Sequence, residues 1–237
     1  MRAVLLWCCL VFFTVATPIE KFTGADDSRY FIGYAGLNYT GAHYQFIDYM
    51  PDLSEVQMDN TIESSCATGV WNLYNAVNYD LNSNESRCIF IGINWCGNWI
   101  TQCQNMVSSL RYTGSPYGLN DDYYNLYEGT SFRGREFRGN TNAADLGDLD
   151  MAVSSLVVTG QSAWTFYTDV NFTGSNVCVY ADEHYANGSI HLDFARFYTM
   201  DELGMADNSI RSVARGCLSD RVLGHSDGER RGQDATN

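Results

Sequence analysis

Lysine is almost absent from this sequence. Lys21 stands beside 13 arginines, and these 14 cations face 28 aspartates and glutamates for a net charge of −14. A nucleic-acid binder needs a cationic face to neutralise phosphates, so DNA and RNA are excluded as main partners. The same sign argues against docking on anionic lipid. Proline is scarce, three residues in 237, and charged residues make up 18% against 45% hydrophobic. That balance excludes a disordered chain and leaves room for one large domain or two of ordinary size. A membrane helix needs about 20 apolar residues, and no stretch after the first residues supplies them, so no membrane span is expected. Also missing are a nucleophile elbow, a phosphate loop, a dinucleotide fingerprint and H-E-x-x-H spacing. Of four histidines, His43 falls in a predicted strand and His225 in a polar tail. His184 and His191 lie among Asp182, Glu183 and Asp193 in what reads as a solvated loop. The chain reads as not an enzyme.

What is present begins with a leader. Arg2, an apolar run from Ala3 to Val15 and the small residue Ala16 before Thr17-Pro18 match a secretory signal peptide over 1–16. Cleavage there leaves Cys66, Cys88, Cys96, Cys103, Cys178 and Cys217, an even set suited to an oxidising compartment. Zinc is the alternative, but Cys96 and Cys103 are too widely spaced for a C-x-x-C pair, and no histidine lies near them. Four N-x-S/T sequons, at Asn38, Asn84, Asn171 and Asn187, agree with export and glycosylation.

One pattern occurs four times: an aromatic, a tyrosine three residues on, then a small or polar residue followed by an aromatic. The copies are Phe31/Tyr34/Asn38/Tyr39, Trp71/Tyr74/Asn78/Tyr79, Tyr124/Tyr127/Ser131/Phe132 and Trp164/Tyr167/Asn171/Phe172. Gly41, Gly134 and Gly174 follow in three of them. The tyrosines are 40, 53 and 40 residues apart, so the copies fall into two pairs. The extra length contains Thr113-Gly-Ser-Pro-Tyr-Gly-Leu-Asn120, a linker by its glycines and proline. Domains are therefore expected at 28–114 and 121–218, with a linker over 115–120 and a disordered tail over 219–237. If they fold separately, Cys178 has only Cys217 as a partner within its domain, whereas the four cysteines of the first domain leave three pairings open.

Each copy closes alike: Asp59-Asn-Thr-Ile-Glu-Ser64, Gln104-Asn-Met-Val-Ser-Ser109, Asp150-Met-Ala-Val-Ser-Ser155 and Asp207-Asn-Ser-Ile-Arg-Ser212. Each is a polar loop running into a short apolar strand. Dense aromatics, glycine turns and short alternating runs make the chain all-β. Residues 193–206 are left as room for one short helix.

With Trp164-Thr-Phe-Tyr-Thr-Asp-Val-Asn-Phe-Thr-Gly174 and Asp207-Asn-Ser-Ile-Arg-Ser-Val213, the chain resembles the βγ-crystallin superfamily, with Tyr127-Glu-Gly-Thr-Ser-Phe-Arg-Gly134 as its folded hairpin. The resemblance implies two Greek-key β-sandwich domains, with Trp71 and Trp164 in their cores. The second copy departs, with Leu81 where glycine is expected, and its hairpin is expected to be enlarged or opened. The resemblance also implies calcium binding through loops of the form [N/D]-[N/D]-x-x-[S/T]-S. Calcium needs six to eight oxygens. Glu63 and Arg211 occupy the fifth position in the first and last copies, which leaves Asn105 and Ser108, and Asp150 and Ser154, as ligands of one degraded Ca2+ site per domain. The competing reading is that all four loops are turns only.

Arg133, Arg135 and Arg138 form the one basic cluster. It is either a seat for a sulfated glycan or acidic partner, or a strand with outward arginines and inward Phe132 and Phe137. These features together predict a secreted, disulfide-stabilised structural or binding protein with weak calcium binding and an extracellular protein or glycan as partner. The alternative is host defence, as a toxin component, glycan binder or protease inhibitor.

Overall fold

The computed structural model describes residues 29–81, 87–99 and 103–224. The expected signal peptide at 1–16, the sequon at Asn84, and His225 with the rest of the tail to residue 237 lie outside the described residues. Runs rich in aromatic and β-branched residues, bounded by glycine and asparagine, form strands. In the first half, β1 (Tyr30–Gly36), β2 (Thr40–Phe46), β3 (Ser64–Tyr74), β4 (Arg87–Asn98) and β5 (Ser109–Thr113) make one antiparallel sheet. Its order is β2-β1-β3-β4, with β5 also paired to β3. Gly69, at φ 113°, marks a register shift within β3. Before it β3 pairs with β1, and after it with β5, so one strand closes the first copy and opens the second.

The second half contains β6 (Tyr123–Gly129), β7 (Arg133–Gly139), β8 (Ser155–Thr159), β9 (Trp164–Asp169), β10 (Thr173–Val179), β11 (Glu183–Asn187), β12 (Ile190–Phe197), β13 (Ser212–Arg215) and β14 (Val222–Leu223). They build two sheets, β11-β12-β8-β6-β7 and β13-β9-β10-β14. Two bridges, Met50 to Leu110 and Ala143 to Val213, carry the first and third copies across to their partners, which is the Greek-key crossover.

Two expectations change. The region read as a solvated loop with room for a helix is the β11–β12 hairpin, added to the third copy's sheet through β8. Leu192 and Phe194 alternate with His191 and Asp193, a period of two that buries the apolar pair; only a short 3-10 turn, Met200–Leu203, follows. Residues 219–224, assigned to the disordered tail, instead cover the β10 edge, with Val222–Leu223 parallel to Cys178–Val179. An open edge is a row of unpaired N–H and C=O groups, and Cys178 and Tyr180 N–H donate here to Arg221 and Leu223 carbonyls.

The four repeated corners share one geometry. Asn38, Asn78, Ser131 and Asn171 have φ of 54°, 57°, 59° and 57°, and the aromatics after them 63°, 58°, 62° and 62°. Each aromatic packs on the tyrosine of its own copy, at 5.9 Å for Tyr34–Tyr39, 5.7 Å for Tyr74–Tyr79, 5.5 Å for Tyr127–Phe132 and 6.2 Å for Tyr167–Phe172. The second copy is lengthened, because β4 begins only at Arg87, yet its corner is closed like the others. Leu81 reaches the third copy's hairpin, where a Cβ added at Gly129 would meet it at 2.7 Å.

Trp71 and Trp164 are fully buried in two separate apolar clusters, one in each half. A third cluster joins the halves through Val70 and Ile93 on one side and Tyr127, Phe132, Val157 and Phe194 on the other. Beside it lies Arg111, 2% exposed, donating to Phe132 O at 2.7 Å and Gly134 O at 3.0 Å. The guanidinium also stacks on Tyr79 and Tyr127, 4.5 and 4.7 Å from their ring centres. The segment 115–120 is packed as well, with Leu119 in the shared cluster.

Candidate ion-binding loops

The closing loops face each other in pairs, 59–64 with 104–109 and 150–155 with 207–212. Backbone hydrogen bonds set this pairing: Asn60 N–H to Val107 O at 2.9 Å, Asn105 N–H to Ile62 O at 2.9 Å, and Asn208 N–H to Val153 O at 3.1 Å. The fifth position of one loop therefore sits beside the first two positions of its partner. Asn105 donates to Glu63 Oε1 at 3.0 Å, and Arg211 donates twice to Asp150, at 2.8 and 2.7 Å. Ser154 Oγ donates to Asn208 Oδ1 at 3.3 Å. Ser108 follows the carbonyl that holds Asn60. The four residues read as ligands thus occupy four places rather than two, since each loop contributes to both places of its pair.

These places differ in their fit to a hard cation. At Asp150 the Arg211 guanidinium already supplies the positive charge, and its hydrogen bonds and charge hold the Asp150 carboxyl below the usual range. Calcium does not fit there. Asp59 Oδ1 is buried without a hydrogen-bond partner, in a loop that also brings Asn60, Val107 O and Ser108 together. An unpaired buried carboxylate oxygen suits a calcium ligand. The matching place in the second half joins Ser154 to Asn208 and Asp207, with Asn208 donating to the Asp207 carboxylate at 3.2 Å.

The sixth-position serines have a different role, which the spacing alone did not assign. Ser64, Ser109, Ser155 and Ser212 are fully buried. Their hydroxyls donate, each at 2.6 Å, to the carbonyls of Gly36, Ala76, Gly129 and Asp169. They accept from the N–H of Tyr39, Tyr79, Phe132 and Phe172 at 2.9–3.1 Å. Their invariance among the four copies was the available signal.

Other side chains singled out in the sequence are placed as follows. His184 and His191 meet on the β11–β12 hairpin, with ring centres 5.5 Å apart. Among the described residues no three His, Cys, Asp or Glu side chains converge as metal ligands. The His43 ring packs at a tilt on Tyr34 of β1, 5.4 Å between centres. Arg135 pairs with Glu128 at 2.7 Å, and Arg138 donates to Tyr49 Oη at 2.7 Å. Both line a groove of about 910 Å³ between the halves, with Tyr79, Leu81 and Arg111. Cys66 is bonded to Cys96, Cys88 to Cys103 and Cys178 to Cys217. Asn38, Asn171 and Asn187 are exposed, and Asn38 Oδ1 accepts from Asn98 at 3.0 Å. No described helix is long and apolar enough to cross a membrane.

Residues 120–179, from just before β6 to the end of β10, match the family model described as peptidase inhibitor family I36. No curated protein matches the chain in sequence. Among solved structures, geodin, a βγ-crystallin from Geodia cydonium, aligns with a TM-score of 0.59 at 16% identity, over 79% of this chain and 99% of geodin. A βγ-crystallin from Ciona intestinalis aligns at 22% identity and a TM-score of 0.30, over 39% of this chain and 98% of its own. Protein S complexed with calcium aligns at 14% identity and 0.28, over 78% of this chain and 98% of its own. The geodin likeness covers most of this chain, and the fold of this chain is that of the βγ-crystallins.

Proposed function

We propose that the protein is a secreted, non-enzymatic binding protein built from two βγ-crystallin units, 28–114 and 121–218, with calcium-linked stability. The observation that carries the reading is the bonding of all six described cysteines into three disulfides within this fold, which suits an oxidising, extracellular setting. Calcium is assigned to Asp59, Asn60 and Ser108 in the first unit and to Ser154, Asp207 and Asn208 in the second. Anything that binds the folded state alone raises stability through linkage. Thermal unfolding of the oxidised protein in EGTA and then in millimolar calcium tests this. A rise of several degrees that is lost in Asp59→Asn combined with Asp207→Asn supports the sites, and an unchanged transition removes calcium from the function.

A second reading, peptidase inhibition, is favoured by the family match over residues 120–179. It predicts stoichiometric loss of activity when the purified protein is added to at least one enzyme in a panel of extracellular peptidases. No inhibition across serine, cysteine, aspartic and metallopeptidases would sink it.

A further inference from the structure

His184 and His191 are brought onto one face of the β11–β12 hairpin by its register. His184 lies opposite Asp193, and His191 opposite Ala186. Leu192 and Phe194 turn to the other face and bury themselves in the cluster shared by the two halves, while the two histidines stay exposed on the polar face. The two imidazoles are diagonal neighbours with ring planes 28° apart. The His184 side chain is 45% exposed, and His191 is exposed too.

The ring of His184 is also oriented. Asp193, 2% exposed, approaches its Nδ1 through Oδ1 at 2.6 Å. The carboxylate is itself held by Asn120, whose Nδ2 donates to Oδ2 at 2.8 Å and whose Oδ1 accepts from Asp193 N–H at 2.6 Å. Gln161 approaches Oδ2 at 3.5 Å. A carboxylate on one ring nitrogen fixes the tautomer and ring orientation and leaves the other nitrogen as a lone-pair donor for a metal. Imidazole suits late first-row divalent ions, copper most strongly.

We propose that His184 and His191 form a two-imidazole site for Cu2+ or Zn2+, with Asp193 as the positioning residue behind His184. One ion bound at about 2 Å from each nitrogen bridges the rings once the exposed His191 side chain turns toward the held His184 ring, and water fills its remaining positions. The site shares no residue with the calcium loops and does not rest on either functional reading.

Calorimetric titration of the oxidised, full-length secreted protein with CuCl2, and separately with ZnCl2, tests the proposal, with millimolar calcium present to occupy oxygen-rich loops. The expected result is one saturable equivalent, tighter for copper than for zinc. His184→Gln and His191→Gln each weaken binding about tenfold or more, Asp193→Asn by about 10- to 100-fold, and His43→Gln leaves it unchanged. Copper electron paramagnetic resonance should show two imidazole nitrogens, falling to one in either histidine variant. Asp193 is buried, so its variant is first checked for folding by circular dichroism; the exposed histidine variants decide the matter without it. Absence of saturable binding, or binding that survives the double histidine replacement, overturns the site.

Discussion

At each corner a serine hydroxyl donates to a carbonyl behind the turn and accepts from the N–H of an aromatic held at positive φ. A bulky residue in that region is strained, so the hydroxyl and the tyrosine packing must hold it there together. Removing the hydroxyl leaves a buried N–H and a carbonyl unpaired, a cost of about 1–3 kcal/mol. Ser155→Ala is expected to lower stability in urea by that amount. Ser154→Ala, which loses a single bond of 3.3 Å, should change it by only about 0.5 kcal/mol in EGTA. Equal losses in the two variants would contradict the division of labour between neighbouring serines. The tyrosine-to-aromatic spacing was legible in the sequence, because both partners lie in one hairpin. The serine's role was not, since it arrives from a strand 23 to 40 residues further on.

Among the elements, the C-terminal segment shows how a covalent bond and a sheet edge act together. The Cys178–Cys217 bridge spans 39 residues and ties the segment leading to β14 against β10. In the chain-entropy model such a bridge contributes about 4 kcal/mol. Cys178→Ala with Cys217→Ala should therefore lower unfolding free energy by about 2–4 kcal/mol and expose the β10 edge. Proteolysis near Leu218 should speed up in the variant, and an unchanged cleavage rate would mean that the backbone bonds from Arg221 and Leu223 suffice. The strand reading of Ile190–Phe197 was available from the alternation of Leu192 and Phe194 with polar residues. The sheet it joins was not, because β12 pairs with β8 of the preceding copy.

For the whole molecule, the interface around Arg111 and the distribution of ionisable groups set the response to mutation and pH. Arg111→Ala strips Gly134 O of its charged donor and leaves Phe132 O with only the Tyr74 hydroxyl, and should cost about 2–3 kcal/mol. A melting curve that splits into two transitions would further show the halves uncoupled. Several carboxyls are held below their ordinary range. Arg211 does this for Asp150 and Arg135 for Glu128. For Asp122 and Asp193 burial pushes upward, but hydrogen bonds from Ser162, and from Asn120 and His184, outweigh it. Depressed carboxyls favour the folded state above their unfolded values of about 4, and that contribution is lost as pH falls through the lower folded values. Burial raises Tyr79 and Tyr124 to about 12 and Tyr127 well above its ordinary value. Their contribution is complete below the unfolded value of about 10 and is lost as pH rises toward and beyond 12. Melting temperature against pH should thus fall at both ends, with the alkaline fall accompanied by late tyrosinate absorbance; early tyrosinate formation in the folded protein would refute the alkaline limb.

The sequence by itself determined the all-β class, the four copies, their pairing and the glycine and asparagine corners, because these follow from local backbone preferences and from side-chain periods within single hairpins. Only the tertiary structure decided that Arg211 meets Asp150 across 61 residues, that Glu63 meets Asn105, and that Asn120 braces the Asp193–His184 pair. Those contacts depend on the register and crossing of distant strands. A shift of one residue in register turns every side chain to the opposite face, and no single segment carries that information.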